Sequence, residues 1–448
     1  MPGLELHPGL VALGTTIPTA VMKAYPDERI SQLNQEERAT MKRIGLVCLA
    51  LALGAANTAH AQALTMQASN GWTFTFAGDV NSFLYYTKSN TDGVVTTPGH
   101  LVPAGGAGEG VTNLTRITVG LTPAFAVFDA KGKEGSTDVG VHFGFAPSVQ
   151  CGIGVNDCFG ATIDMRQVYF TVGGSWGQLL VGRELGLFSR QNILTDQTLF
   201  GVGGSGAGTS PGSFGAQGAS TTLGRIGYGY VYPNFRAQIT YSTVAGRPYQ
   251  FSIGVFEAAA IDAFKNTRIP RVEAEFTYAQ SGLKGWVGGT VQNTKTASTG
   301  PTNSLTAWGG SGGLRYEKAT FSVTGSGYYG KGIGTTFFGR DGTDGGSTGN
   351  DDARKSYGFI GQIAVTPPNS RVTIAGSYGS SYLKASDNEA DARTENTLIS
   401  GGLYFQATKS VKVVGEFDYE WSKANVGGVS VGPKNTRYTP AIGFMLFF

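Results

Sequence analysis

Charge is scarce in this chain. Only 15% of its 448 residues are Asp, Glu, Lys or Arg, against about 25% in an average globular protein. The net balance of +3 gathers into no basic stripe, which excludes a dedicated nucleic-acid binder. Histidine is nearly absent, with His100 and His142 the only two beyond residue 61. No G-x-S-x-G elbow and no zinc spacing accompanies them, so hydrolase and metalloenzyme readings have nothing to stand on. Beyond residue 61 no apolar run reaches 18 residues, which excludes a transmembrane helix. The 69 glycines follow no period of three, so the chain is not collagenous.

Cysteine is equally sparse. Of three, Cys48 falls in "MKRIGLVCLALALGAANTAHA", where Lys42 and Arg43 precede an apolar stretch, Ile44 to Ala56, and Ala59-His60-Ala61. That order is an export signal with a small-x-small cleavage site. Because a signal works only at an N-terminus, residues 1–40 read as an upstream extension from a misassigned start. Residues 41–61 read as the signal peptide and 62–448 as the mature domain. The first 61 residues hold five basic and five acidic side chains, so cleavage leaves the net charge unchanged. Cys151 and Cys158 remain as an even pair in the glycine-rich "CGIGVNDC" and are expected to form a disulfide in an oxidising compartment.

What is abundant is alternation. In "VKVVGEFDYEW", Val411, Val413, Phe417, Tyr419 and Trp421 alternate with Lys412, Glu416, Asp418 and Glu420. "RVEAEFTYA" does the same, and "RIGYGYVY" sets Ile226, Tyr228, Tyr230 and Tyr232 opposite Arg225, Gly227 and Gly229. A period of two marks strands with one apolar face. Strands of about ten residues, aromatic residues at their ends and glycine within them fit a barrel that faces lipid better than a soluble sandwich. Short links ("GGSWG", "TVAGRPY", "SGLKG", "EK", "PPNS", "KS") alternate with long ones near 88–111, 147–161, 185–223, 260–269, 294–303, 330–353, 384–394 and 423–435. The alternation holds if 224–243 is one strand with an irregularity at Pro233, and 127–136 is then an overlong turn. The expected architecture is all-β: a 16-stranded antiparallel transmembrane barrel in the bacterial outer membrane. Its third long connection, 185–223, is free to fold inward as a constriction. The alternating "AIGFMLFF" ends the last strand, with Phe448 closing the chain.

"TRITVGLTPAF", "RQVYFTVGGSWGQLLVGRELG" and "SFGAQ…GRIGYGYVYPNF" then resemble the second, fourth-to-fifth and sixth strands of the general porins of Gram-negative outer membranes. That resemblance implies a water-filled channel for small hydrophilic solutes and ions. It also implies a homotrimer packed through the strands near both ends of the chain, and Phe448 as a signal for the barrel-insertion machinery. In such proteins wall arginines face carboxylates on the third loop. The matching positions are Arg116, Arg166 and Arg225, with Arg183 a further candidate, against Asp196 and Glu184. Arg116 and Arg225 fall on the inward parity, and Arg166 needs a bulge to join them. With so few loop acids a mild anion preference is expected, offset in the wider lumen by Glu273, Glu275, Glu416, Asp418 and Glu420. Lipid of the outer membrane is the surrounding partner, and no cofactor, metal or nucleic acid is called for. Rival readings are a substrate-specific channel, an adhesin presented on a barrel, and calcium bound at Asp341, Asp344, Asp351 and Asp352.

Overall fold

The computed structural model describes residues 63–90, 92–102, 113–150, 163–206, 221–262, 264–296, 304–344 and 353–448. The upstream extension, the signal peptide, Cys151, Cys158, Asp351 and Asp352 lie outside the described residues.

Sixteen strands close into one antiparallel barrel. They are β1 (Thr73–Ser89), β2 in two pieces (Asn113–Thr118 and Phe125–Glu134), β3 (Thr137–Pro147), β4 (Ile163–Gly174), β5 (Gly177–Leu185) and β6 (Phe235–Ser242). Next come β7 (Tyr249–Phe256), β8 (Arg271–Gln280), β9 (Leu283–Thr296), β10 (Ser304–Lys318) and β11 (Phe321–Lys331). The circuit ends with β12 (Lys355–Val365), β13 (Val372–Lys384), β14 (Ala392–Gln406), β15 (Val411–Val426) and β16 (Asn435–Phe447). Each strand pairs with the next, and β16 returns to β1 from Asp79↔Phe447 to Ser89↔Arg437.

Below that seam a short strand, Leu64–Gln67, pairs with the start of β1, Leu64 opposite Phe76. Phe448 exchanges backbone hydrogen bonds with Gly78. Both segments are antiparallel to β1, so Leu64–Gln67 prolongs the line of β16 with only the Ala77 level of β1 between them.

The burial pattern is inside-out relative to a soluble protein. On β15 Phe417 is 54% exposed, while its neighbours Glu416 and Asp418 are 5% and 0% exposed. Val287, Leu314, Ile363, Leu403 and Phe444 continue the exposed apolar band around the circumference. A barrel that sets large apolar side chains outward and carboxylates inward is built for lipid outside.

Two local expectations are corrected. The segment 224–234 is not the first half of a strand. Gly224, Gly227 and Gly229 have φ of 54°, 81° and 143°, and Asn234 has 60°, so the backbone turns repeatedly and β6 begins only at Phe235. The period-two pattern of Ile226, Tyr228, Tyr230 and Tyr232 is instead four buried side chains of a folded loop. Residues 127–136 are mostly strand: β2 runs to Glu134 and turns at Gly135, whose φ is 62°. What breaks β2 is the stretch 119–124, opposite the middle of β1.

Candidate functional site

The described residues of the connection from β5 to β6, 186–206 and 221–234, fasten to the inner wall of the barrel at one point after another. Glu273 of β8 accepts from the amides of Leu187 (2.7 Å) and Phe188 (3.0 Å). Two residues along β8, Glu275 pairs with Arg190 at 2.5 Å and accepts from Gln191. There the loop forms a short helix, α1 (Arg190–Leu194), and Trp286 of β9 donates to Asn192 at 3.1 Å. Gln362 of β12 reads both backbone polarities, accepting from the Gln197 amide (2.7 Å) and donating to the Thr195 carbonyl (2.8 Å). On β15 Glu416 accepts from the amides of Val202 and Gly203, each at 2.7 Å. The gap in β2 completes the span, Leu121 donating to the Gly201 carbonyl at 2.9 Å.

The returning limb carries Arg225, which has no exposed surface. Its guanidinium donates to Ser377 on β13 and to the Leu398 carbonyl on β14, and its amide donates to Asp196 at 3.3 Å. Asp196 also caps the turn Gln197–Phe200 through Thr198 and accepts from the Tyr230 hydroxyl at 2.9 Å. Burial pushes the Asp196 carboxyl above its usual range, and the Arg225 charge beside it pulls the other way. Between the limbs lies an apolar core, with Ile193, Leu194, Leu199, Leu223, Ile226 and Tyr228 packed against Ile360 and Leu398 of the wall.

The structure brings Arg225 and Asp196 together through the Arg225 amide, while the guanidinium goes to the wall. They form a buried knot inside the loop, not two charges facing across open water. Glu273, Glu275 and Glu416 are inward as expected, yet they are spent on the loop's amides and on Arg190 instead of lining a wide lumen. Glu420 likewise accepts from Tyr228 and pairs with Arg437 at 3.3 Å. Aromatic residues are not confined to the lipid face either: Trp286, Tyr228, Tyr230, Tyr328 and Tyr404 are all buried.

The other candidates separate. Arg116 lies on the inner face, beside outward Ile117 and opposite buried Tyr85. Glu184 is also inward and accepts from Gln167 at 2.7 Å. Arg166 is the extra residue of a bulge where β3 and β4 change register between Gly144 and Phe145. It pairs with Asp164 at 2.8 Å and lies over the Phe235 ring. Arg183 sits opposite Val168 and Ala237, the parity that carries exposed Phe170 and Ile239, and so takes the outer face.

Sequence reasoning missed one inward pair. His142 on β3 faces Asp129 on β2 at 3.0 Å and stacks on Tyr169 of β4 with ring centroids 4.6 Å apart. In the sequence no carboxylate lies near His142; the register of β2 against β3 supplies it. Of the calcium candidates, Asp344 accepts from Ser386 and Asn388, and among the described residues no group of acids and histidines is placed to hold a metal.

Comparison with solved structures gives the fold a name. The outer membrane channel DcaP of Acinetobacter baumannii superposes with a TM-score of 0.59 at 12% identity, covering 86% of this chain and 99% of that one. An anion-selective porin from Comamonas acidovorans gives 0.56 at 15% identity, covering 84% and 100%. OmpT, an outer membrane protein of Vibrio cholerae, gives 0.53 at 12%, covering 85% and 99%. The chain has the porin fold. No family model and no curated protein matches its sequence. In this porin-type barrel the described residues of the connection from β5 to β6, 186–206 and 221–234, lie against the inner wall.

Proposed function

We propose that the chain is an outer-membrane channel for small hydrophilic solutes and ions, with a preference for anions, whose bore is set by the loop of residues 186–234. The observation that carries this reading is an asymmetry in which inner charges meet water. Glu273, Glu275, Glu416, Asp418 and Glu420 are all 5% exposed or less. Arg116, Lys131, Lys284 and Lys412 share the inner face and are only half-buried, as are Glu184 and the ion pair Arg315–Glu317, so basic side chains outnumber acidic ones there. Ions in the remaining passage therefore meet basic side chains, which favours anions.

Arg116 supplies part of that field, with Arg166 and Glu184 further along the same wall. The export signal, a disulfide between Cys151 and Cys158, assembly as a trimer and Phe448 as the insertion signal belong to the same proposal. Channel activity, not catalysis, is the work assigned to the barrel.

One observation favours a narrower second reading, a channel selective for a particular solute. The loop has its own apolar core and is tied to β8, β9, β12, β13, β14 and β15, an arrangement that leaves less room than an open pore.

Single-channel recording of the refolded mature protein under a salt gradient tests both readings. Open steps with an anion-favouring reversal potential support the first. Small steps blocked by one added solute support the second. Silence at every potential overturns both.

A further inference from the structure

One cation of the inner wall has no counterion. Lys412 lies near the start of β15, just past the short link of residues 407–410, and points inward with Val414 and Glu416. Its partners on the two adjoining strands are neutral, Gln406 of β14 and Met445 of β16. The Gln406 side chain already donates to the carbonyls of Thr408 and Val411. Asp79 of β1, at the same end of the barrel, is 5% exposed and is held by Asn81 at 2.8 Å. Among the described residues Lys412 joins no ion pair, and no other charge acts on it.

What surrounds this ammonium is aromatic. Its Nζ lies 4.0 Å from the centre of the Phe200 ring and 5.7 Å from that of Phe447. The two rings meet edge to face with centroids 6.0 Å apart. Phe200 ends the turn that Asp196 caps, and Phe447 shares the inward parity of Met445. Together with Val202, Tyr404, Val414 and Met445 they belong to an apolar patch on the inner wall, a lining that a purely ionic passage does not require. Phe200 is 9% exposed and so fixed in place, whereas Phe447 is only partly buried. A ring face attracts a cation but accepts none of its N–H groups in an ordinary hydrogen bond. The corner therefore sets a cation in need of an acceptor beside an accessible ring.

We propose that Lys412 and Phe447 form a binding subsite for aromatic monocarboxylates, the carboxylate taking the ammonium and the ligand's ring packing on Phe447. One unbalanced positive charge suits a monoanion, since a second negative charge would lie unpaired against the apolar patch. The 5.7 Å between Nζ and the Phe447 ring suits an acid whose carboxylate is joined directly to its ring. The ring also gives a contact that a short aliphatic acid cannot make. This deepens the channel reading by naming the class of solute that the passage retains, and it rests on that reading.

The test measures binding of radiolabelled benzoate to the mature protein folded in detergent, by equilibrium dialysis with protein-free micelles as the blank. Benzoate is expected to bind and to be displaced by unlabelled benzoate. Equal amounts of acetate, which lacks the ring, and of benzamide, which lacks the charge, should not displace it. K412Q should bind about tenfold more weakly and F447L roughly fivefold more weakly, while K412R should retain binding. No binding above the blank, displacement by acetate or benzamide as readily as by benzoate, or unchanged binding by K412Q overturns the proposal. Should K412Q fail to fold, F447L decides, and unchanged binding by it is then the overturning result. Single-channel records keep the two readings apart. A protein that conducts but retains no benzoate loses the subsite alone, and one that binds benzoate but stays silent loses the channel reading alone.

Discussion

The carboxylate of Glu416 accepts the backbone amide of Val202 at 2.7 Å, joining the next-to-last strand of the barrel to a loop that leaves the wall ten strands earlier. The same oxygen takes the amide of Gly203, and Glu273 repeats the arrangement at the loop's start.

Glu416→Gln keeps the shape and removes the charge. Hydrogen bonds to a charged acceptor contribute about 1.5–3 kcal/mol each, so the substituted side chain should hold the loop less firmly. The expected result is a larger or noisier conductance in single-channel records. A conductance histogram identical to wild type would show that this grip does not set the bore.

Arg116 and Arg225 should behave differently, although the sequence treats them alike. A charge about 10 Å from a passing ion in water is worth roughly 0.4 kcal/mol. The loss acts on anion and cation in opposite senses, so Arg116→Gln should lower the anion-to-cation permeability ratio about fourfold. Arg225→Gln removes a fully buried tie and should loosen the loop, read as faster proteolysis within 186–234, with little change of reversal potential. Arg183→Gln, on the outer face, should change neither.

Among the loops outside the wall, Arg354 pairs with Glu389, and Glu389 also accepts from the amide of Ser386 at 2.8 Å. The hydrogen bond from Arg354 is the main reason that the Glu389 carboxyl sits below its usual range. A carboxylate depressed in the folded state stabilises above its unfolded pKa, and that contribution is lost as pH falls through the folded pKa. Amides of residues 385–391 should thus be well protected at neutral pH, relative to their intrinsic exchange rate at that pH, and lose that protection once pH drops below the ordinary carboxylate range. Glu389→Gln should show little protection at either pH, and protection that ignores pH in the wild type would count against the latch.

Single-tryptophan variants report the inside-out pattern directly. Trp308 is 44% exposed on the outer face, whereas Trp286 is 4% exposed against α1. Brominated lipid should quench the first strongly and the second hardly at all. Equal quenching would overturn the assignment of faces.

Strand alternation and link lengths made the barrel legible, because a period of two and an alternation of short and long links are both written along the chain. The loop's interior was not. Ile226, Tyr228, Tyr230 and Tyr232 alternate as a strand does, and only the positive φ of Gly224, Gly227 and Gly229 turns them into a core. Which acids meet water was hidden for a related reason: Glu273 and Glu416 read as lumen charges until the loop supplies their partners. The Asp129–His142 pair depends on register across two strands, which no local pattern encodes.

The seam at β1 has a consequence for assembly. Leu64–Gln67 and β16 share one stave against β1, and the cylinder closes only when β16 reaches β1. Until then β1 and β16 are open edges able to pair with another chain. A nascent barrel in which β16 has not reached β1 is an unfinished sheet, completed by two strands from far ends of the chain.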